Sequence, residues 1–418
     1  MTPTLQADPA CPDAPSSGVP EGPHSAGAID PWAGRRPGQP LVAERRSIDA
    51  ISQATWDGLA ASNPWATPFS SWPFHRAWWD AFGANAHEET VVVTDPAAPP
   101  GAPPVAIVPL MHRHEVEPDD EARRTTMRHG SSVELTPVAP TAKAIFFGAS
   151  YHADYASVLG SPADLPAVAE AIADYLSRDP AEVSEHPVAW DVVDLRRIRC
   201  GDPVAIELAS AFARREMACG WTLNVERDDV CPVATLPVGI DFDGYLGTLE
   251  KKVRHEIRRK IRRAERAGEV QLERSDDPIA DLPGFIDLHE RKWGGKGLFP
   301  PTPGGDQSRR FFQRLFELFG PEGPLQLSFL TIDGVRVAAG IHLETPDSYL
   351  YYNAGVDPAA SALSPGVVMT ARYVEAAIVA GKRRFDFLRG NEAYKYEWGA
   401  IDEPIQRLLV RRDDEGNP

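Results

Sequence analysis

The sequence has no uninterrupted run of about 18 apolar residues, so it predicts no helix that spans a bilayer. Its opening residues also lack the basic start and apolar stretch of a secretory signal peptide. Basic residues are scarce, since 43 Lys and Arg stand against 60 Asp and Glu and the net charge is -17. A general nucleic-acid binder needs a basic surface to displace phosphate counterions. These absences predict a cytoplasmic protein that binds no DNA.

Cysteine is rare, and the four cysteines match no zinc or redox spacing: Cys11, Cys200, Cys219 and Cys231. We therefore expect no metal cofactor, and scattered thiols that suit a reducing compartment. The chain also lacks G-x-S-x-G, H-E-x-x-H, the P-loop pattern and G-x-G-x-x-G. Hydrolase, metalloprotease, P-loop and dinucleotide-dependent functions are thus without the residues that their chemistry requires.

The length of 418 residues exceeds what one ordinary core accommodates, so two domains are expected. The first stretch is rich in Pro, Gly, Ala and Ser without periodicity, which is typical of disorder. The predicted order is a disordered tail at 1–43, an N-terminal domain at 44–203, a connecting helix at 204–220, a C-terminal domain at 221–412 and a disordered end at 413–418.

Aromatic residues recur at helical spacing early in the first domain, at Phe74, Trp78, Trp79 and Phe82. The pattern is typical of a core stripe, and a ligand platform is the alternative. The runs HEETVVVTD and PPVAIVPLMHRHE, separated by a Pro-rich loop, predict a hairpin. AKAIFFG and AWDVVDLRRI predict further strands with a helix between them. WTLNVERDDVCPVATLP predicts two short strands at the start of the second domain.

One helix of the second domain is strongly basic, with nine Lys or Arg between residues 251 and 266. Its apolar stripe comprises Leu249, Val253, Ile257, Ile261 and Ala264. The helix is either a solvated amphipathic element or an anion-binding face for a phosphorylated cofactor, a carrier, RNA or an acidic acceptor. Docking on a membrane surface is a weaker alternative, because the apolar stripe lacks Trp and Phe anchors. Arg254, Arg258 and Arg262 are spaced to line one face, and arginine suits bidentate contact with phosphate.

Period-two alternation in LQLSFLTIDGVRVAAGIHLETPDSYLYYNAGVD, with turn signals at DG and PDS, predicts three antiparallel strands. The loop DPAASALSPG, the helix VVMTARYVEAAIVAG and the strand RRFDFLRG follow, and together with the third strand they predict a βαβ crossover. The helix N-terminus presents N–H groups that suit a phosphate. Ser364 fits an N-cap, and Gly366 allows close approach.

Four segments in this order resemble the GNAT-like acyltransferase domain of the CelD/BcsL family, bacterial proteins described as cellulose-biosynthesis acetyltransferases: VRHEIRRKIRRAERAG, LSFLTIDGVRVAAGIHLE, YLYYNAGVDPAASALSPGVVM and FDFLRGNEAYKYEWG. TPFSSWPFHRAWWDAFG and VAIVPL extend the resemblance over residues 56–411. That family is similar in turn to the Fem peptidoglycan aminoacyltransferases. The resemblance implies an α/β (mixed α+β) fold of two tandem GNAT-like domains, each a mixed, mainly antiparallel sheet flanked by helices.

The resemblance also implies an N-acyltransferase that moves an acyl group, with acetyl expected, from acyl-CoA to an amine of a small molecule, glycan or peptide. The donor would bind between the strands ending at Val356 and Arg389, with contacts from Val356, Ser364, Gly366, Val367 and Arg389. However, DPAASALSPG lacks the Q/R-x-x-G-x-G/A pattern that wraps the pyrophosphate in ordinary GNAT enzymes. The alternatives are a Fem-like transferase that uses aminoacyl-tRNA, and a noncatalytic binding protein in polysaccharide or envelope assembly.

Acyl transfer to an amine needs a base for the amine proton and an acid for the leaving group. By resemblance to GNAT domains, Tyr394 protonates the leaving thiolate. The alternative is that Tyr394 packs on Trp398 while Lys395 forms a salt bridge. No spacing singles out a base among Glu344, His342, Asp386 and Glu392. The candidate substrate contacts are Arg254, Arg258, Arg262, Lys395 and Trp398.

Overall fold

The computed structural model describes residues 40–113, 124–125, 133–139, 142–149, 151–178 and 190–412. The predicted disordered tail and end therefore lie almost wholly outside the described residues. The tail prediction extends slightly too far, because Val42–Arg45 forms a strand that pairs antiparallel with Val91–Thr94. A buried Ala43 within that strand supplies the packing that the composition of the tail does not suggest.

Helices and strands alternate irregularly along the chain, as a mixed α/β fold requires. The helices are α1 (Gln53–Ala61), α2 (Trp72–Phe82), α3 (Leu165–Ser177), α4 (Val204–Ala213), α5 (Glu216–Cys219), α6 (Phe242–Thr248), α7 (Lys251–Ala267), α8 (Pro278–Trp293), α9 (Pro303–Phe319), α10 (Pro365–Val379) and α11 (Ala393–Tyr396). Short 3-10 helices occupy Ile48–Ala50, Pro68–Ser70, Gly83–Asn85 and Pro358–Leu363.

The strands of the first half are β1 (Val42–Arg45), β2 (His87–Glu88), β3 (Val91–Thr94), β4 (Ala106–Val108), β5 (Leu110–Arg113), β6 (Arg124–Thr125), β7 (Val133–Glu134), β8 (Ala144–Phe147), β9 (Leu159–Gly160) and β10 (Val192–Arg199). Those of the second half are β11 (Trp221–Thr235), β12 (Val270–Arg274), β13 (Leu325–Ile332), β14 (Val335–Glu344), β15 (Ser348–Val356), β16 (Arg384–Asp386) and β17 (Ile401–Arg412).

A single eleven-stranded sheet runs through both halves in the order β12-β13-β14-β15-β16-β11-β17-β10-β8-β5-β2. A second sheet has the order β1-β3-β4-β9, and β6 and β7 form a short ribbon. Most pairings are antiparallel, but β15 pairs with β16 and β10 pairs with β8 in parallel. The expected mixed α/β class is thus confirmed, and the sheet of the second half continues into strands β10, β8, β5 and β2 of the first half.

Helices cover both faces of the second half of the long sheet. On one face, α6, α7 and α10 pack with the sheet into one hydrophobic cluster. On the other face, α8 and α9 share a cluster with α2 of the first half. The predicted aromatic stripe of α2 is part of this core, since Phe74, Trp78 and Phe82 are buried and Trp79 is partly buried.

The predictions for the meander and the crossover are confirmed. Strands β13, β14 and β15 are antiparallel neighbours, and α10 connects β15 to the parallel strand β16. The hairpin of β3 and β4 is also present. On α7, Ile257, Ile261 and Ala264 are buried as the apolar stripe predicts.

Three sequence expectations need correction. The two short strands predicted after residue 220 are one strand, β11, whose polar run at Arg227 and Asp229 forms a bulge rather than a turn. Strand β17 was not predicted, although it pairs with both β10 and β11. Among the described cysteines, Cys219 and Cys231 are free and Cys200 is disulfide-bonded. Cys200 is therefore not one of the scattered free thiols that the sequence predicted.

A buried ion pair joins β17 to β10. Arg407 donates from Nε and Nη2 to the two carboxylate oxygens of Asp194 at 2.6 and 2.7 Å, and both side chains are 1% exposed. Arg407 also donates to the Thr136 carbonyl at 2.8 Å. Burial alone would raise the pKa of Asp194, but Arg196 and Arg407 outweigh it and hold that pKa below its usual range. The carboxylate is therefore charged in the folded protein at neutral pH.

We predict that Arg407→Ala lowers the free energy of unfolding by about 2–4 kcal/mol, because Asp194 keeps only its contacts with Arg196 and the Thr136 carbonyl loses its donor. The control Arg178→Ala removes an exposed ion pair with Asp174 and should cost less than about 1 kcal/mol. Urea denaturation followed by tryptophan fluorescence measures both variants. Equal losses in the two variants would contradict a special role of the buried pair.

Candidate active site

A cleft opens where two parallel strands diverge. Strands β15 and β16 pair only along Ser348 to Leu350, opposite Arg384 to Asp386. Beyond that point β15 continues beside β14, whereas the chain after Asp386 turns away. A cavity of about 410 Å³ lies between them and is lined by residues 351–354 on one side and residues 387–389 on the other.

The turn away from β15 begins at Leu388, a non-glycine residue with a left-handed φ of 56°. Such a conformation costs on the order of 1–3 kcal/mol and persists only where its surroundings enforce it. Here the Leu388 N–H donates to the Asp386 carboxylate at 2.8 Å, and its carbonyl accepts from the Lys395 ammonium at 2.9 Å. The two side chains hold the strained residue from both ends.

Lys395 is the centre of this arrangement. Its ammonium donates to three successive carbonyls, those of Leu388, Arg389 and Gly390, at 2.8 to 2.9 Å, and lies 3.0 Å from Glu392. The residue is only 2% exposed. All three ammonium protons have partners, so Lys395 shapes the wall of the cleft instead of presenting its charge to a substrate as predicted.

The first half of the chain supplies another wall through residues 151–155. Tyr151, His152 and Asp154 line the cleft. Tyr352 donates its hydroxyl proton to the His152 carbonyl at 2.7 Å, and Arg389 Nε lies 3.3 Å from Asp154 Oδ1. The Tyr155 hydroxyl donates to the buried Asp386 at 2.8 Å. These contacts explain how the N-terminal half completes the cleft.

Helix α8 supplies the remaining wall with His289, Lys292 and Trp293, followed by residues 296–298 of the next loop. Its close approach to β15 depends on Gly355, because a Cβ there would lie 2.4 Å from the His289 backbone nitrogen. Burial lowers the pKa of His289 to about 4, so its imidazole is neutral at physiological pH.

Of the predicted catalytic residues, Tyr394 and Glu392 line the cleft and Glu344 does not. Tyr394 is 41% exposed, and its ring meets Phe387 edge-on at 6.1 Å. Its predicted packing partner Trp398 is instead 1% exposed in the core beneath, so it is not available to contact a substrate. The spacing of Tyr394 and Trp398 in the sequence does not show that the first lines the cleft and the second lies in the core.

The other candidate bases are engaged elsewhere. Glu344 lies in the hairpin at the end where β15 and β16 remain paired, 3.2 Å from both His342 Nε2 and Lys382 Nζ. The hydrogen bond with His342, supported by Lys382, lowers the pKa of Glu344 to about 2 despite partial burial. Asp386 is buried beneath the cleft, where burial raises its pKa. These groups are therefore structural.

The predicted donor-binding residues lie beside the cleft rather than on its lining, except for Arg389. Val356 ends β15, and a Cβ at Gly366 would lie 3.7 Å from its Cγ1, so these two residues are neighbours. Val367 follows in the first turn of α10 and is partly buried. Ser364 occupies the N-cap position but makes no side-chain cap hydrogen bond.

The hydroxyl of Ser364 instead accepts a hydrogen bond from Arg263 of α7 at 2.7 Å. The three arginines that the sequence singled out do not share this position. Arg254 donates to the Gly247 carbonyl and Arg258 to Asp243, each at 2.9 Å, whereas Arg262 is exposed. Helix α7 thus contacts the start of α10 through Arg263, which is not one of the three arginines spaced four residues apart.

Sequence reasoning missed the walls formed by residues 151–154 and by α8. A signal for α8 was present, because His289, Lys292 and Trp293 recur at i, i+3 and i+4 directly before the glycine-rich segment GGKG. No comparable pattern marks residues 151–154. Their role depends on the joining of the two halves into one sheet.

In the described part of the chain, no group of three or more His, Cys, Asp and Glu is arranged to hold a metal ion. None of the helices described there combines the length and apolar composition needed to cross a bilayer.

The segment that contains much of the cleft matches a known protein family. Residues 251–396, roughly a third of the chain, match the family described as acetyltransferase (GNAT) domain. This segment contains α7, the meander, the crossover and Tyr394. The match supports an acyltransferase at the level of the superfamily. No curated protein matches the sequence significantly.

Solved structures resemble this chain in fold. FemX is 10% identical with a TM-score of 0.53, and the match covers 85% of this chain and 96% of FemX. A conserved protein of unknown function from Bacteroides thetaiotaomicron VPI-5482 is 11% identical with a TM-score of 0.49, covering 87% and 98%. A tandem GNAT protein from the clavulanic acid biosynthesis pathway is 10% identical with a TM-score of 0.44, covering 90% and 100%. The FemX likeness, with a TM-score above 0.5, supports the fold.

We predict that Lys395→Met lowers the free energy of unfolding by about 2–4 kcal/mol, because three inward-facing carbonyls lose a charged donor. Hydrogen exchange of the amides at 388–392 should accelerate in the variant. The matched control Lys292→Met removes an exposed cleft lysine whose hydrogen bond to the Ala354 carbonyl is long at 3.4 Å. The control should keep wild-type stability and exchange, and unchanged exchange in Lys395→Met would contradict the assigned role.

Proposed function

We propose that this protein is an N-acyltransferase that transfers an acyl group, with acetyl the expected one, from acyl-CoA to an amine acceptor. The observation that carries the proposal is the divergence of β15 and β16, which opens the cleft inside the segment that matches the acetyltransferase (GNAT) domain. We also keep the assignment to the CelD/BcsL family and a cytoplasmic location as parts of this proposal.

The donor enters from the side of α10. At the start of this 15-residue helix Pro365 has no N–H, and the Val367 N–H donates to the Ser364 carbonyl at 3.0 Å. The Gly366 N–H and the positive end of the helix dipole remain to favour an anion such as a phosphate. Val356, Ser364, Gly366 and Val367 surround that end, and Arg263 reaches it through Ser364. The acyl group would then extend between the diverging strands toward Arg389. In this arrangement Arg263 replaces the predicted Arg254, Arg258 and Arg262 as the donor contact on α7.

The amine attacks the acyl carbonyl, a carboxylate accepts its proton, and the leaving thiolate takes a proton from Tyr394. Two carboxylates line the cleft, Asp154 and Glu392. Burial raises the pKa of Asp154, and Arg389 partly opposes this shift. A raised pKa brings a carboxylate closer to the range in which a general base is effective. We therefore favour Asp154 as the base, with Glu392, which lies 3.0 Å from Lys395, as the second candidate.

One observation favours a second candidate function. The segment between β15 and α10 forms a 3-10 helix, Pro358–Leu363, and contains none of the glycines that wrap pyrophosphate in ordinary GNAT enzymes. A Fem-like transfer from aminoacyl-tRNA would not need that loop. The amine acceptor and the catalytic groups would be the same in both cases.

We predict that Tyr394→Phe lowers kcat about 100-fold with little change in donor affinity, because only the acidic proton is lost. The matched control is Tyr396→Phe in the same short helix, whose hydroxyl donates to Asp402 at 2.6 Å and does not line the cleft. Steady-state kinetics with acetyl-CoA and a panel of amines measures both. A similar kcat in the two variants would exclude Tyr394 as the acid.

We predict micromolar binding of acetyl-CoA by calorimetry and its loss in Gly366→Glu, because a carboxylate at the start of α10 repels the donor phosphates. Gly304→Glu is the matched control. Gly304 also follows a proline in the first turn of a long helix, α9, and is exposed away from the cleft. Loss of binding in both variants would argue against the site. No binding by the wild type, with turnover on aminoacyl-tRNA, would support the second candidate.

A further inference from the structure

The wall that α8 contributes to the cleft has no part in the proposed transfer chemistry. It carries two lysines, Lys292 and Lys296, on either side of Trp293. Trp293 is 37% exposed, and the Lys292 ammonium lies 4.7 Å from the centre of its ring. An exposed aromatic ring with an ammonium group beside it, and a second lysine on the same wall, offers both an apolar surface and positive charge to a bound molecule.

The charges of the cleft are unevenly distributed. Four cations line it, Lys292, Lys296, Arg389 and Lys395, against two carboxylates, Asp154 and Glu392. The carboxylates lie beside two of these cations, with Asp154 3.3 Å from Arg389 and Glu392 3.0 Å from Lys395. The other two cations, Lys292 and Lys296, both lie on the wall formed by α8 and the loop after it. This pair of lysines stands out because the whole chain has a net charge of -17.

The contacts of the loop after α8 hold Lys296 on this wall. The Lys296 N–H donates to the Trp293 carbonyl at 3.1 Å, which folds the chain back toward the helix end. Gly297 then packs against His289, since a Cβ there would lie 2.3 Å from His289 Cε1. The close contact leaves no room for a side chain and holds the loop against α8. Lys292 is fixed in turn by the close approach of α8 to Gly355 of β15.

We propose that Lys292, Trp293 and Lys296 form a recognition subsite for an anionic group, a phosphate or a carboxylate, carried by the amine acceptor. The inference rests on the proposed function in taking the occupant to be the acceptor. A negatively charged acceptor is also drawn into a cleft of locally positive potential, whereas the acidic surface elsewhere repels it. The subsite thereby selects the acceptor and orients its amine.

Equilibrium binding without any acyl donor tests the subsite separately from the transfer reaction. The probes are two matched pairs of amines, glucosamine 6-phosphate against glucosamine, and L-lysine against L-lysinamide, titrated into the whole protein by NMR. We expect the anionic member of at least one pair to bind about tenfold more tightly, as charge-assisted contacts predict. The double variant Lys292→Gln, Lys296→Gln should abolish this preference. The control Lys143→Gln changes an exposed lysine outside the cleft and should retain it.

Preference for the phosphate pair alone would identify a phosphate as the anion, and preference for the carboxylate pair alone would identify a carboxylate. No preference in either pair would overturn the proposal, as would a preference that survives in the double variant. Tyr394→Phe should keep the full preference while losing turnover. A chain that binds no donor yet discriminates the pairs through the two lysines would therefore reject the acyltransferase proposal and retain the anion subsite.

Discussion

The long antiparallel ladder between β11 and β17 is the constraint on which the rest of the structure depends. Strand β17 lies between β11 of the second half and β10 of the first half. Two sheets that would otherwise end in open edges therefore continue into one another. The buried pair of Arg407 and Asp194 crosses the same junction, and a misaligned ladder would separate these charges at a cost of several kcal/mol. The strand register and the buried ion pair therefore both favour the same placement of β17 between β10 and β11.

The cleft is a consequence of this junction. With β16 held against β11, the chain after Asp386 turns away from β15, and residues 151–155 of the first half come to lie at the opening. Asp386 links the two halves at this point, because its carboxylate accepts from the Leu388 N–H of the second half and from the Tyr155 hydroxyl of the first half. The Lys395 ammonium stabilises the turn by donating to the carbonyls of residues 388–390. The wall residues of three separate chain segments are therefore fixed relative to one another before any substrate binds.

Local pattern was enough to predict the meander, the crossover and the buried stripes of α2 and α7, because each depends on periodicity and on turn residues near in sequence. Long-range features were not predictable in this way. The polar run at Arg227 and Asp229 resembles a turn, yet a partner strand far along the chain converts it into a bulge. Lys395 resembles a surface cation, yet three carbonyls surround its ammonium. Tyr394 was proposed as the acid through family resemblance, whereas the place of Asp154 in the cleft becomes visible only when the walls are assembled.

The position of β17 in the chain has a consequence for biosynthesis. The ribosome delivers the N-terminal half first, and in many proteins such a half folds as a unit while the remainder is still being made. Here β10 must wait for residues 401–412, the last strand of the described chain, before its second edge is covered. Until then a hydrophobic strand edge stays open to other nascent chains. Completion of the first half is thus tied to the synthesis of β17 in the second half, and a chaperone that shields β10 would matter most before then.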